Sequence, residues 1–90
     1  MQLEEVVGNK LRIKILKLIN QLGELNVSEL VRRLGANHKT TIRNLKILEN
    51  EGILQHKTFG RIRLYRFNEK SAKAKAIRSL IETWEMAEKV

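Results

Sequence analysis

Lys39, Arg43, Lys46 and Asn50 recur at i, i+4, i+7 and i+11, a spacing that gathers four side chains on one face of an α-helix. Thr41, Leu45 and Leu48 fall on the opposite face. A helix that is core on one side and cationic and amide-bearing on the other is equipped for nucleic acid. Its cations suit phosphate oxygens, and its forked donors suit the edges of bases. The N-terminal turn, Asn37, His38, Lys39, Thr40 and Thr41, is the part that enters a major groove first. Ile42 stands at the boundary of the two faces, where a thymine methyl would meet it. A second set of cations, Lys57, Arg61, Arg63 and Arg66, follows in a stretch of alternating pattern, suited to phosphate or minor-groove contact. Lys57 and Arg61 are the stronger candidates of that set. Both groups have plainer explanations, a solvated helix face for the first and charged strands that block sheet aggregation for the second. The elements around them decide.

Other chemistries have little to stand on. No carboxylate pair sits in an apolar setting, there is no Gly-rich phosphate loop, and no nucleophile lies beside a base, so no catalytic residue is expected. The chain has no cysteine, and its histidines, His38 and His56, lack ligand spacing with a partner, so neither a metal nor a cofactor is expected. His38 is read as a groove residue and His56 as an exposed strand residue. Eighteen Lys and Arg against ten acids give a net charge of +8 on 90 residues, a field that draws polyanions. A membrane surface is a poor partner because aromatic residues do not flank the basic faces. With no apolar run of membrane-spanning length and no leader pattern, a cytoplasmic protein is expected.

The elements that position these residues carry clear start and stop signals. A helix over Lys10 to Leu22 is capped by Asn9, ended by Gly23, and apolar on two sides, as a central helix would be. Leu3, Val6 and Val7 either extend it or form a separate turn. Glu24 to Asn26 read as a short extended link. A second helix begins after Asn26, with Glu29 placed for a capping box and Leu25 and Leu30 for a hydrophobic staple, and stops at Gly35. The third runs from its Asn37 cap to about Asn50, with Gly52 as the left-handed stop. Two helices about a Gly turn make a helix-turn-helix unit. Ile53 to Thr58 and Arg61 to Phe67 form a hairpin about Phe59-Gly60, with Tyr65 and Phe67 inward. Asn68 then caps a last helix over residues 69 to 88. The expected fold is one mostly α domain over 1–90 with a small β-hairpin, a winged helix-turn-helix whose core spans 10–68, in the order helix, short strand, helix, helix, strand, strand, helix.

At these residues the chain resembles the ArsR-like winged-helix regulators of bacteria and archaea. The likeness lies in Leu11 to Leu16 followed by Val27-Ser28-Glu29-Leu30, in Leu34 to Leu45, in Leu48 to Leu54, and in Gly60-Arg61 through Tyr65 to Asn68. It covers about residues 10 to 68. It implies sequence-specific binding of double-stranded DNA, a homodimer, and transcriptional regulation. Many members sense metals through Cys or His clusters, and this chain departs from that pattern.

The last helix carries Lys70, Lys73, Lys75 and Arg78 in its first half and Glu82, Glu85 and Glu88 in its second, against the preference of the helix dipole. Two copies paired antiparallel would set basic halves against acidic ones. Ile77, Leu80, Ile81, Trp84 and Ala87 would then form the dimer core. The alternative is that this stripe packs on the domain's own first helix. The function expected is that of a dimeric regulator, most simply a repressor. A nonspecific architectural DNA binder and a winged-helix protein-interaction module are the competing readings.

Overall fold

The computed structural model describes residues 1–89; Val90, the end of the domain expected over 1–90, lies outside the described residues. The elements follow in the order α1 (Leu3–Val7), α2 (Lys10–Leu22), β1 (Glu24–Asn26), α3 (Val27–Leu34), α4 (His38–Asn50), β2 (Leu54–Phe59), β3 (Ile62–Phe67) and α5 (Ala72–Glu88). The fold is mostly helical with a small antiparallel sheet in the order β1-β3-β2. Three of the four expected caps form. The side chains of Asn9, Asn26 and Asn37 accept from the backbone N–H of Arg12, Glu29 and Thr40 at 3.0, 2.8 and 3.1 Å, satisfying donors that a helix start leaves free. At the end of α4, Gly52 takes a φ of +78°. That lets the Gly52 and Ile53 N–H groups donate to the carbonyls of Glu49 and Leu48 at 2.9 and 3.0 Å, so the chain turns sharply into the sheet.

The core lies where α2 meets everything else. Ile15, Leu16 and Ile19 are fully buried with Leu30 of α3, Leu45 and Leu48 of α4 and Tyr65 of β3. α2 packs against α1, α3, α4 and α5 and against two of the strands, which explains why its sequence is apolar on two sides.

Residues 3–7 do not extend α2 but form their own short helix, separated from it by Gly8 and Asn9. The expected short strand forms at Glu24 to Asn26 and pairs with Arg66, Tyr65 and Leu64 of β3. Three details depart from the sequence expectations. The hairpin turn is Gly60-Arg61, one residue later than expected, so Phe59 faces Ile62 in register. Gly60 has a φ of +60° while Arg61 does not have a positive φ, which is what a two-residue turn with Gly in its first central position requires. Glu29 does not complete a capping box; its carboxylate turns outward to Arg32 and Arg33. Asn68 does not cap the last helix, because its carboxamide is already engaged. Nδ2 donates to the Gly52 carbonyl at 3.1 Å, and Oδ1 accepts from the Lys70 N–H at 3.2 Å. Residues 69 and 70 therefore form a turn, and the Ser71 hydroxyl caps α5 by accepting from the Ala74 N–H.

Candidate nucleic-acid interface

α4 owes its orientation to its inner face. Thr41, Leu45 and Leu48 are buried as expected, and Asn44 joins them at 6% exposure. A carboxamide in the core must be hydrogen-bonded. The Arg12 Nε donates to Asn44 Oδ1 at 2.7 Å, Asn44 Nδ2 donates to the Thr40 carbonyl at 2.9 Å, and Arg12 Nη1 donates to the Glu5 carbonyl at 2.9 Å. Thr41 Oγ1 donates to the Asn37 carbonyl. α4 is thus pinned through polar contacts to α2 and α1, as well as by packing. Sequence reasoning missed Asn44 and Arg12 as positioning residues. The available signal was the place of Asn44 on the same stripe as Thr41, Leu45 and Leu48.

The outer face is the reverse. Asn37, His38, Lys39, Arg43, Lys46 and Asn50 are exposed, and Thr40 and Ile42 are half-buried at the margin. Among the described residues, Lys39, Arg43 and Lys46 meet no carboxylate, whereas Arg32, Arg33, Lys57, Lys73 and Arg78 each form an ion pair. A row of three unneutralised cations along one turn-spaced edge is a concentrated positive field facing water.

The hairpin divides its cations between two sides. Arg61 and Arg63 line a cleft of about 370 Å³ together with His38 and Ile42 of α4, Ile62 of β3, and Asn26, Val27 and Ser28 at the start of α3. Arg63 Nη1 donates to the Tyr65 hydroxyl at 3.5 Å, and that hydrogen bond is the main cause that holds the guanidinium pKa above its ordinary value. The start of α3 was not singled out from the sequence, since nothing in Val27 or Ser28 alone points to a groove. Lys57 lies elsewhere. Its register places it beside Leu64 on the other face of the ribbon. There its Nζ sits 3.8 Å from Glu24 and 5.6 Å from the Phe59 ring centroid. His56 directs Nδ1 to the Glu49 carboxylate and stacks, tilted, on Tyr65, which ties β2 to the end of α4. Among the described residues no group of His, Cys, Asp and Glu is arranged to hold a metal ion.

The fold also divides the residues expected at a dimer core. Ile77 and Ile81 are buried in the chain's own core, at 5% and 6% exposure. Leu80 and Trp84 stand 50% and 64% exposed, and Ala87 is exposed as well. Leu80, Trp84 and the rim of Ile81 join Val7 and Ile13 around an open apolar cleft of about 400 Å³. No helix is long and apolar enough to cross a membrane among the described residues.

Residues 9–56 match the family model described as bacterial regulatory protein, arsR family. No curated protein matches the chain significantly. Among solved structures, HlyU from Vibrio cholerae superposes with a TM-score of 0.78 at 24% identity, covering 91% of this chain and 86% of that one. The homodimeric winged helix-turn-helix DNA-binding domain Mb0332 from Mycobacterium bovis gives a TM-score of 0.74 at 25% identity, over 90% of this chain and 72% of its own. The transcriptional repressor BigR from Xylella fastidiosa gives 0.78 at 19% identity, over 92% and 79%.

Proposed function

This chain belongs to the ArsR family of bacterial regulatory proteins, and from that premise we propose that it is a homodimeric, sequence-specific repressor that inserts α4 into the major groove of DNA. One observation carries the proposal. The outward face of α4 holds Lys39, Arg43 and Lys46 without carboxylate partners among the described residues, on a helix whose inner face is locked into the core. In this proposal His38, Lys39 and Thr40 enter the groove first, next to the Asn37 cap. Arg43 reads a base edge with its fork, Ile42 meets a thymine methyl, and Lys46 holds phosphate. Arg61 and Arg63 take the backbone beside them, and Lys57, on the far face of the ribbon, contributes at the margin.

Two protomers are needed to give such a site length. The exposed Leu80 and Trp84 with the cleft beside them support α5 as the dimer element, backed from inside by Ile77 and Ile81, with Ala87 at the end of the contact. α5 has no acid in its first turn and no base in its last. An antiparallel partner helix would bring Glu82, Glu85 and Glu88 to Lys73, Lys75 and Arg78. The homodimeric state of the Mycobacterium bovis domain supports a dimer for this chain.

The test is selection from a random-sequence duplex pool at moderate salt, followed by sequencing. The expected product is an inverted repeat with half-sites about 10 base pairs apart, one turn of duplex. Recovery of tight binding without a motif would replace this function with an architectural one. Absence of binding would leave the ridge a solvated face and turn attention to protein partners.

A further inference from the structure

The tip of the hairpin carries apolar surface that the fold itself does not use. Phe59 and Ile62 are 57% and 51% exposed. They sit directly opposite one another in register, on either side of the Gly60-Arg61 turn, so they share one face of the ribbon. The buried hairpin residues are Leu54, Tyr65 and Phe67, all at the other end. An apolar pair on a protruding ribbon is a hazard for aggregation, and nothing among the described residues covers it. Lys57 shares its face, with Nζ 5.6 Å from the Phe59 ring centroid, Arg61 stands in the turn itself, and Arg63 lies next to Ile62 on the opposite face of the ribbon. Ile62 and Arg61 also border the cleft formed with His38 and Ile42, so the tip continues the surface proposed to meet DNA.

Resting on that DNA-binding reading, we propose that Phe59 and Ile62 are an apolar wedge for the minor groove flanking each half-site, with Arg61 at its point. The minor groove is about 6 Å wide, and strands of a ribbon lie about 4.8 Å apart. The tip therefore enters turn first and pushes the walls apart with its side chains. Phe and Ile are residue types that part base steps from this side, and the duplex bends when they do. Deformable pyrimidine–purine steps without an amino group in the groove take the wedge most easily. The tip would thus add a preference for A·T pairs at positions α4 never touches.

The experiment uses the duplex recovered by selection, made with flanks of A·T, G·C or inosine·C pairs; inosine·C keeps the minor-groove pattern of A·T. Affinity and bend angle are measured for the full chain and for the double variant Phe59→Ser, Ile62→Ser. Because both side chains are exposed, the variant is expected to keep its melting temperature. Expected for the full chain are equal binding to A·T and inosine·C flanks, about tenfold weaker binding to G·C flanks, and a bent complex. In the variant, the flank preference and the bend disappear while the half-site motif is still selected. A full chain indifferent to flanks, a variant that keeps the preference, or a variant whose free sedimentation changes, showing the tip to be a contact between protein copies, would each overturn the wedge. Failure of the full chain to select any DNA would instead overturn the reading on which the wedge rests.

Discussion

α3 and α4 are the two halves of one helix-turn-helix unit, and each carries clustered cations, but they dispose of them differently. On α3, Arg32 and Arg33 lie one after the other in the last turn, and Glu29 takes both, with Arg32 Nη2 at 2.5 Å and Arg33 Nε at 2.8 Å. The hydrogen bonds from Arg32 and then Arg33 hold the Glu29 carboxyl below its usual range. On α4, Lys39, Arg43 and Lys46 lie along a face that contains no acid. Net charge counts both clusters equally. Only the partners show that one cluster is already neutralised and the other, among the described residues, has no acid beside it. A cation left unpaired on a rigid element is a better sign of a site than a cation as such.

The largest expected effect comes from halving the number of open ridges. Trp84→Glu should place a charge in the exposed apolar patch of α5 and yield a monomer by sedimentation. Affinity for the two-half-site duplex should then fall by about 10²-fold or more, since linked engagement of two sites gains that much, while the binding of a single half-site stays. A dimer that survives the change would move the interface away from α5.

Arg43→Ala comes next. A guanidinium reading a base edge is worth about 1–3 kcal/mol of discrimination, so binding to the selected duplex should weaken by roughly 5- to 150-fold and the motif should relax at one position. Equal losses on selected and random duplexes would reduce Arg43 to a phosphate contact. The same replacement at Arg32 or Arg33 should change affinity little, and that contrast is the direct check on the comparison of the two helices.

Much of this arrangement is legible in the sequence, and the remainder is hidden for definable reasons. Caps act through neighbours along the chain, so Asn9, Asn26 and Asn37 mark three helix starts to the residue. Asn68 misleads because its carboxamide is engaged across the fold by Gly52, a contact that no local pattern announces. Glu29 has the position of a capping-box residue and the partners of a clamp, and two arginines outcompete one backbone N–H. The stripe from Ile77 to Ala87 has one period, but only its first part reaches the core. Periodicity finds an apolar face and says nothing of how much of it the monomer covers. The outer face of α4 was read nearly whole, since that face is defined by the helix alone. The tie from Arg12 to Asn44 spans 32 residues and becomes visible only once α2 and α4 are packed.

Lys46→Ala should have a smaller effect of a different kind. A lysine that contacts phosphate acts on every sequence alike. Affinity should fall a few-fold on selected and random duplexes together, and the slope of log affinity against log salt should flatten by about 0.9, the release of one counterion. A slope that does not change would remove Lys46 from the interface and shorten the open ridge to Lys39 and Arg43.

The smallest effect tests the neutralised cluster. Glu29 is ionised with its pKa depressed in the folded chain. Its contacts with Arg32 and Arg33 therefore stabilise the fold fully above the carboxyl's unfolded value, and that contribution is lost as pH falls through the lower folded value. Melting temperature followed from pH 7 down past the ordinary carboxylate range should drop more in the natural chain than in Glu29→Gln, whose curve lacks this component, with the two converging at the acid end. The pair is exposed to solvent, so the gap at neutral pH is expected to be slight and to shrink in high salt. The same variant releases two arginines from their acid. Near neutral pH it should bind random duplex more tightly and with a steeper salt slope than the natural chain does, because α3 then presents what α4 already has. If Glu29→Gln leaves nonspecific binding unchanged, freedom from a carboxylate is not what distinguishes the two helices, and the position of α4 relative to the groove must account for the difference.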